Sequence, residues 1–285
     1  MWRRVVLIAL LAASPLQAAG RHFGPAEPSP DVVRVAVIGG MVMTKMWDAV
    51  SAMFEADTGL TVRVVAAGPR SRLAKALREG QADLLTMHSG DITTDLVADG
   101  YGVRMRPWTR NDLVIVGPEA DPAKIAGLKD GVEAFRRIAQ AKAPFLDFRG
   151  NGSRELCHTL WSKAGIEPTG DWVLKDQSGG HLDVLAIARK HGACVVVGRM
   201  PVLFGKLKAD GMRILVEGDR TMRRPYVVMQ ANPKRFPKAN HKGAQALADY
   251  LLSEKVQRFL ATFGAREHGG LPLFYPVWPI GTVNE

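Results

Sequence analysis

The sequence predicts an α/β protein, and three features of its 285 residues carry that expectation. β-branched runs alternate with stretches of helical periodicity, and glycine-rich turns follow the ends of those runs. Two apolar segments, Asn111 to Gly117 and Tyr226 to Ala231, stand where a chain would cross between two lobes. The alternation implies right-handed β-α-β crossovers and mainly parallel sheets flanked by helices.

The chain opens with MWRRVVLIALLAASPLQAAG: two arginines, an apolar run from Val5 to Ala13, then small residues up to Ala19. This is the pattern of a secretory signal peptide over residues 1–19, cleaved after Ala18 or Ala19. The run is shorter than the roughly 20 residues a membrane span needs. No cysteine follows the cleavage region, so a lipid anchor is not expected. The mature protein is therefore expected in the periplasm, with enough chain for two lobes: residues 32–108 with 228–285, and residues 109–227.

Val32 to Ile38 reads as a buried strand broken by Gly39-Gly40, and Met41 to Thr58 as a helix with Met46, Val50, Met53 and Phe54 on one face. Strand Leu60 to Ala66, helix Arg72 to Gly80, strand Ala82 to Met87 and helix Asp91 to Asp99 follow. Beyond the Arg106-Pro107 bend comes the strand Asn111 to Gly117, and then the helix Gly131 to Ala141. The segment FLDFRGNGSRELCHTLW, Phe145 to Trp161, reads as strand, tight turn and helix start, with Ser153 at the N-cap position. Ser178-Gly179-Gly180 opens a helix from His181 to His191. Cys194 to Val197 is a strand ending at Gly198-Arg199, Met200 to Ala209 is helical and Met212 to Val216 is a strand. Gly243 to Phe263 is amphipathic, with a break at Ser253-Glu254.

In open α/β sheets ligands sit beyond the carboxyl ends of strands. That rule selects the first turn at Gly39, Gly40 and Met41, the loop at Ser89, and the turn Arg149, Asn151, Gly152 and Ser153. It also selects Gly179 and Gly180 and, at the end of another strand, Arg199. Free backbone N–H groups, a helix dipole and an arginine converging on one spot attract an anion. Arg149 is then either a bidentate anion contact or a salt bridge to Asp147 or Glu155. Arg199 faces the cleft or forms a hinge ion pair, and His88 is a ligand contact or a structural histidine.

The chain holds 38 basic and 28 acidic residues, and loss of Arg3 and Arg4 with the signal peptide leaves an excess of eight positive charges. The basic residues are scattered, without an RNP, zinc-finger or helix-turn-helix signature, so nucleic acid is not expected as a partner. Cys157 and Cys194 lack metal-ligand spacing, and they are either a periplasmic disulfide or two buried thiols. No G-x-S-x-G, H-E-x-x-H or P-loop is present, and the adjacent Cys157 and His158 would point apart on a helix, so catalysis and a cofactor are not expected.

The run AKALREGQADLLTMHSGDITTDLVADGYGVRMRPWTRNDLVIVGPEADPAKIAGL, with APFLDFRGNGS, GDWVLKDQSGG, RILVEGDR and GLPLFYP, resembles the tungstate-binding periplasmic solute-binding proteins of ABC transporters. The resemblance implies a type II periplasmic-binding-protein fold, with a ligand cleft between two hinged lobes. It also implies capture of a tungstate- or molybdate-like oxyanion, delivery to an ABC permease in the inner membrane, and a monomer without catalysis. The family's hydroxyl-rich first turn is here Ile38-Gly39-Gly40-Met41. Its Ser-Arg-Gly-Asp-Asp-Ser-Gly-Thr pattern is kept at Arg149, Gly150 and Ser153, with Phe148 before the arginine and Arg154-Glu155 at the end. A larger or carboxylate-bearing anion is the alternative ligand that these departures suit.

Overall fold

The computed structural model describes residues 23–150, 152–176 and 183–277. The expected signal peptide and the site residues Asn151, Gly179 and Gly180 lie outside them.

Ten strands are joined in the order β2-β1-β3-β9-β4-β7-β5-β6, with β8 and β10 also paired to β4. One end is parallel: β1 (Val32–Ile38) pairs with β2 (Thr61–Gly68) and with β3 (Leu84–His88). So is the other, where β5 (Phe145–Asp147) pairs with β6 (Val173–Lys175) and β7 (Cys194–Gly198). The middle is antiparallel, built on β4 (Gly102–Pro118) and β9 (Arg223–Ala231), with β8 (Met212–Val216) and β10 (Tyr275–Pro276) against β4.

Strand β4 is longer than expected. Its 17 residues run straight through the Arg106-Pro107 bend, where the pairing with β9 shifts register between Val103 and Arg106 and again between Pro107 and Thr109. Proline has no N–H to give to a ladder, so the strand survives there as a bulge and not as a break.

The helices are α1 (Gly39–Met43), α2 (Met46–Thr58), α3 (Arg70–Arg78), α4 (Asp91–Ala98), α5 (Gly131–Ala141) and α6 (Ser153–Ala164). They continue with α7 (Val184–Lys190), α8 (Arg199–Leu203), α9 (His241–Leu251) and α10 (Glu254–Thr262). The helix expected from Met41 to Thr58 is two helices, because Lys45 sits at φ 62° between them. The helix expected from Met200 to Ala209 stops at Leu203, ahead of Gly205 at φ 67°. α5 matches its expected bounds: Asp130 accepts from the Glu133 N–H at 3.0 Å, and Ala134, Phe135 and Ile138 are buried. At the Ser253-Glu254 break the serine caps α10 by accepting from Val256. Among the described residues no helix is long and apolar enough to cross a membrane.

Three apolar clusters form the core. The first draws on residues 33–108 and 226–274, together with Met200. The other two lie on opposite faces of one part of the sheet. Leu113 and Ile115 of β4, with Cys194 and Val196 of β7, pack on one face, while Val114, Val116, Val195 and Val197 pack on the other. This is why those strands read as unbroken apolar runs. Within the first cluster Trp108 is fully buried and its indole N–H donates to Thr86 Oγ1 at 2.8 Å. Cys157 and Cys194 are both free and buried in the second cluster. Burial pushes both thiols up, that of Cys194 to about 12.

Candidate functional site

β3 and α6 bring two loops together over β9. Strand β3 ends at His88, whose ring stacks on Tyr226 of β9 with centroids 4.0 Å apart. The guanidinium of Arg224, also on β9, lies with Nη2 2.6 Å from His88 Nε2. Residues 224 and 226 share one face of the strand because side chains alternate along it.

Glycines make room for this cluster. A Cβ on Gly40 would stand 3.7 Å from the Tyr226 hydroxyl, and one on Gly90 would stand 3.2 Å from Arg70 Nη1. Gly152 is the critical one. It caps α6 at φ 80°, and a Cβ there would overlap the Arg224 side chain, meeting its Cδ at 2.9 Å. The Arg224 side chain therefore occupies space that only glycine leaves open.

Two hydroxyls at the site have no hydrogen-bond partner among the described residues although they are buried: Ser153 Oγ and Tyr226 OH. Such groups in a native fold are normally satisfied, so both hydroxyls are polar atoms that the described residues leave uncommitted. Burial lifts the Tyr226 phenol above its ordinary range, so it is a donor at neutral pH. Burial, then the charges of Arg224 and Arg70, hold the His88 pKa well below 6.5 against the opposing hydrogen bond of Asn111. Burial also lowers Arg224, to about 10; Arg70 adds to this, and Tyr226 and Glu155 oppose it. Arg224 still carries its charge at neutral pH. Arg224 with the charge of Arg70 nearby, a neutral imidazole and the buried hydroxyl of Tyr226 form a cluster of positive character.

The expected site residues fall differently around this cluster. Gly39 and Gly40 open α1, whose preceding residue Ile38 supplies no side-chain cap, so first-turn N–H groups are left without intrahelical partners. The N-cap differs by one residue from the expected Ser153. Gly152 is the N-cap, and Ser153 begins the helix with its hydroxyl uncommitted.

Three expected site residues are engaged within the chain itself. Met41 is fully buried, and Thr86 Oγ1 lies 3.9 Å from its sulfur. Arg199 is buried and takes the ion-pair alternative. Its Nε lies 2.7 Å from Glu217 Oε2, and its other nitrogens donate to the carbonyls of Leu271, Pro272 and His268, so its donors are spent on the chain. Ser89 was expected to offer donors, yet both its N–H and its hydroxyl are turned toward the Pro225 carbonyl, at 3.1 and 3.4 Å. Arg149 stands at the rim with its side chain 53% exposed, Nε 3.8 Å from Asp147 Oδ2, and its backbone N–H donates to Asp176.

Sequence spacing missed Arg70, Arg224 and Tyr226. The alternation Arg223-Arg224-Pro225-Tyr226 holds the one usable signal, since neighbouring residues of a strand turn to opposite faces and one of the two arginines must share the face of Tyr226.

An α/β fold with an anion-seeking cluster at its strand ends defines a ligand-capture protein. The chain belongs to the bacterial extracellular solute-binding proteins, whose family model matches residues 33–266. It is 34% identical over 229 residues to the tungstate-binding protein TupA of Peptoclostridium acidaminophilum, covering 78% of each chain. It is 32% identical over 241 residues to a putative ABC transporter anion-binding protein of Haloferax volcanii, covering 82% of this chain and 68% of that one. The solved structure of TupA from Desulfovibrio alaskensis G20 is similar at a TM-score of 0.70 and 27% identity, over 86% of this chain and 98% of the other.

Proposed function

We propose that the chain is a periplasmic binding protein that captures a tungstate- or molybdate-like oxyanion and hands it to an ABC permease, without catalysis. The observation that carries this reading is that the buried hydroxyls of Ser153 and Tyr226 have no hydrogen-bond partner among the described residues, while the Arg224 side chain packs against Gly152 next to Ser153 in the chain. The ligand would take donors from these groups, from Arg70, from the first turn at Gly39-Gly40 and from Arg149; Asn151, Gly179 and Gly180, expected from the sequence as further contacts, lie outside the described residues. Capture would close two lobes, 32–108 with 228–285 and 109–227, over the anion. The division of the apolar core supports this, with Met200 and Tyr226 crossing over to pack in the first cluster. Export of a monomer after loss of residues 1–19 completes the reading.

A second reading has one feature in its favour. Gly39-Gly40 offers no hydroxyls, while Arg70 and Arg224 add charge, which suits a carboxylate-bearing anion. A thermal-shift panel of tungstate, molybdate, sulfate, phosphate and small carboxylates decides between them, because a ligand selective for the folded state raises the melting temperature. A shift with tungstate or molybdate at the lowest concentration supports the first; a shift confined to carboxylates replaces it with the second.

A further inference from the structure

Three strands meet at the histidine. His88 ends β3 and is paired in the ladder with Tyr226 of β9, while Asn111 of β4 is paired with Arg224 from the other side of β9. Ladder partners, and residues two apart along a strand, share a face, so His88, Tyr226, Arg224 and Asn111 stand on one side of the sheet. Asn111 is buried, its side chain hydrogen-bonds to His88, and its Oδ1 has no other hydrogen-bond partner among the described residues.

The donors and acceptors admit one arrangement. A guanidinium only donates, so Arg224 Nη2 at 2.6 Å makes His88 Nε2 the nitrogen that carries the lone pair. An imidazolium has no lone pair, so the ring is neutral and its single proton sits on Nδ1. Were the Asn111 amide nitrogen turned to the ring, both ring nitrogens would have to accept, which a neutral imidazole cannot do. The amide oxygen is therefore the group that meets Nδ1–H. Stacking on Tyr226 fixes the plane of the ring, and the two hydrogen bonds fix which way its lone pair points.

We propose that Asn111 is a positioning residue for the anion site: by accepting from His88 Nδ1–H it holds the ring in the tautomer whose Nε2 lone pair retains Arg224. The proposal rests on the reading of this cluster as the oxyanion site, and adds to it a residue that touches no ligand. An arginine gives up several rotamers when its guanidinium is placed, and a fixed acceptor meets that cost before the ligand arrives. A neutral acceptor does so without the repulsion that a carboxylate at the same place would exert on an anion.

The test is nitrogen NMR of histidine-labelled, ligand-free protein at about pH 8, with His88→Gln to assign the signal, run beside titration calorimetry with sodium tungstate. Wild type is expected to show His88 as the Nδ1–H tautomer. Asn111→Leu, similar in size and without an acceptor, is expected to shift the ring toward the Nε2–H form and to weaken tungstate binding about five-fold or more. Asn111→Asp keeps an acceptor and should retain the Nδ1–H tautomer, a rescue that a purely structural role would not give. The Nε2–H form in wild type overturns the proposal, as does Asn111→Leu leaving either the tautomer or the affinity unchanged. Circular-dichroism melts check the fold, and the wild-type and Asn111→Asp tautomers carry the test if Asn111→Leu melts early. If wild type binds no tungstate the oxyanion reading fails, whereas the tautomers still decide the role of Asn111.

Discussion

Arg224 and His88 meet at 2.6 Å across the front face of β9, and the histidine gives up its proton to make that approach possible. In the proposed site this pair would put the main anion contact on β9.

Arg224→Ala is therefore expected to weaken binding of the selected anion by roughly 2–4 kcal/mol, as loss of a charged hydrogen-bond donor in a desolvated pocket does. Arg149→Ala, from a half-exposed rim position, is expected to cost less than about 1 kcal/mol. Isothermal titration of the two variants in parallel checks the order. A larger loss in Arg149→Ala would return the central role to the turn after β5.

Affinity should rise on acidification. An anion beside the neutral His88 ring favours its imidazolium form, so binding takes up a proton and tightens as pH falls toward the depressed folded pKa of His88, for a ligand that stays ionised. Without ligand the sign is opposite for stability. The folded protein binds fewer protons at His88 than the unfolded chain does, so stability drops as pH falls through 6.5 toward the depressed folded value. His88→Gln keeps a partner for Arg224 and removes the titration. Affinity and melting temperature measured from pH 8 to pH 5 should both become flatter in that variant, and an unchanged pH profile would exclude His88 as the source.

Gly152→Ala should strike both fold and site. A non-glycine residue at φ 80° costs on the order of 1–2 kcal/mol, and its Cβ would also displace Arg224. A double-mutant cycle with Arg224→Ala separates the effects. The losses in binding should be less than additive, because both substitutions remove the same side chain from the same place. Full additivity would mean that the glycine serves the turn alone.

Much of the fold was legible because its signals are local. The α5 helix carries a capping aspartate and a regular buried stripe, and β7 and β8 are short apolar runs between turn residues, so each could be placed from its own residues. Strand β4 was legible only in its second half. A proline inside a strand looks like an end until the partner strand shows that a bulge absorbs it. The site was half legible. Gly40, Gly152 and Ser153 lie at strand-to-helix turns that a topological rule selects, but Arg224 reaches Gly152 from a crossing strand far along the chain, and Arg70 approaches Gly90 from a helix start. Arg199 illustrates the converse: it stands at a strand end like a ligand residue, and its role follows from carbonyls about 70 residues away that no spacing rule connects to it.

The two cysteines acquire a different meaning once their place is known. Both thiols sit in one apolar cluster, with acidities suppressed by burial, so almost no thiolate exists there at neutral pH. An alkylating reagent must wait for that cluster to open. The chain thus carries its own chemical clock: the rate at which Cys157 and Cys194 become modified reports how often this portion of the protein comes apart while the rest stays folded.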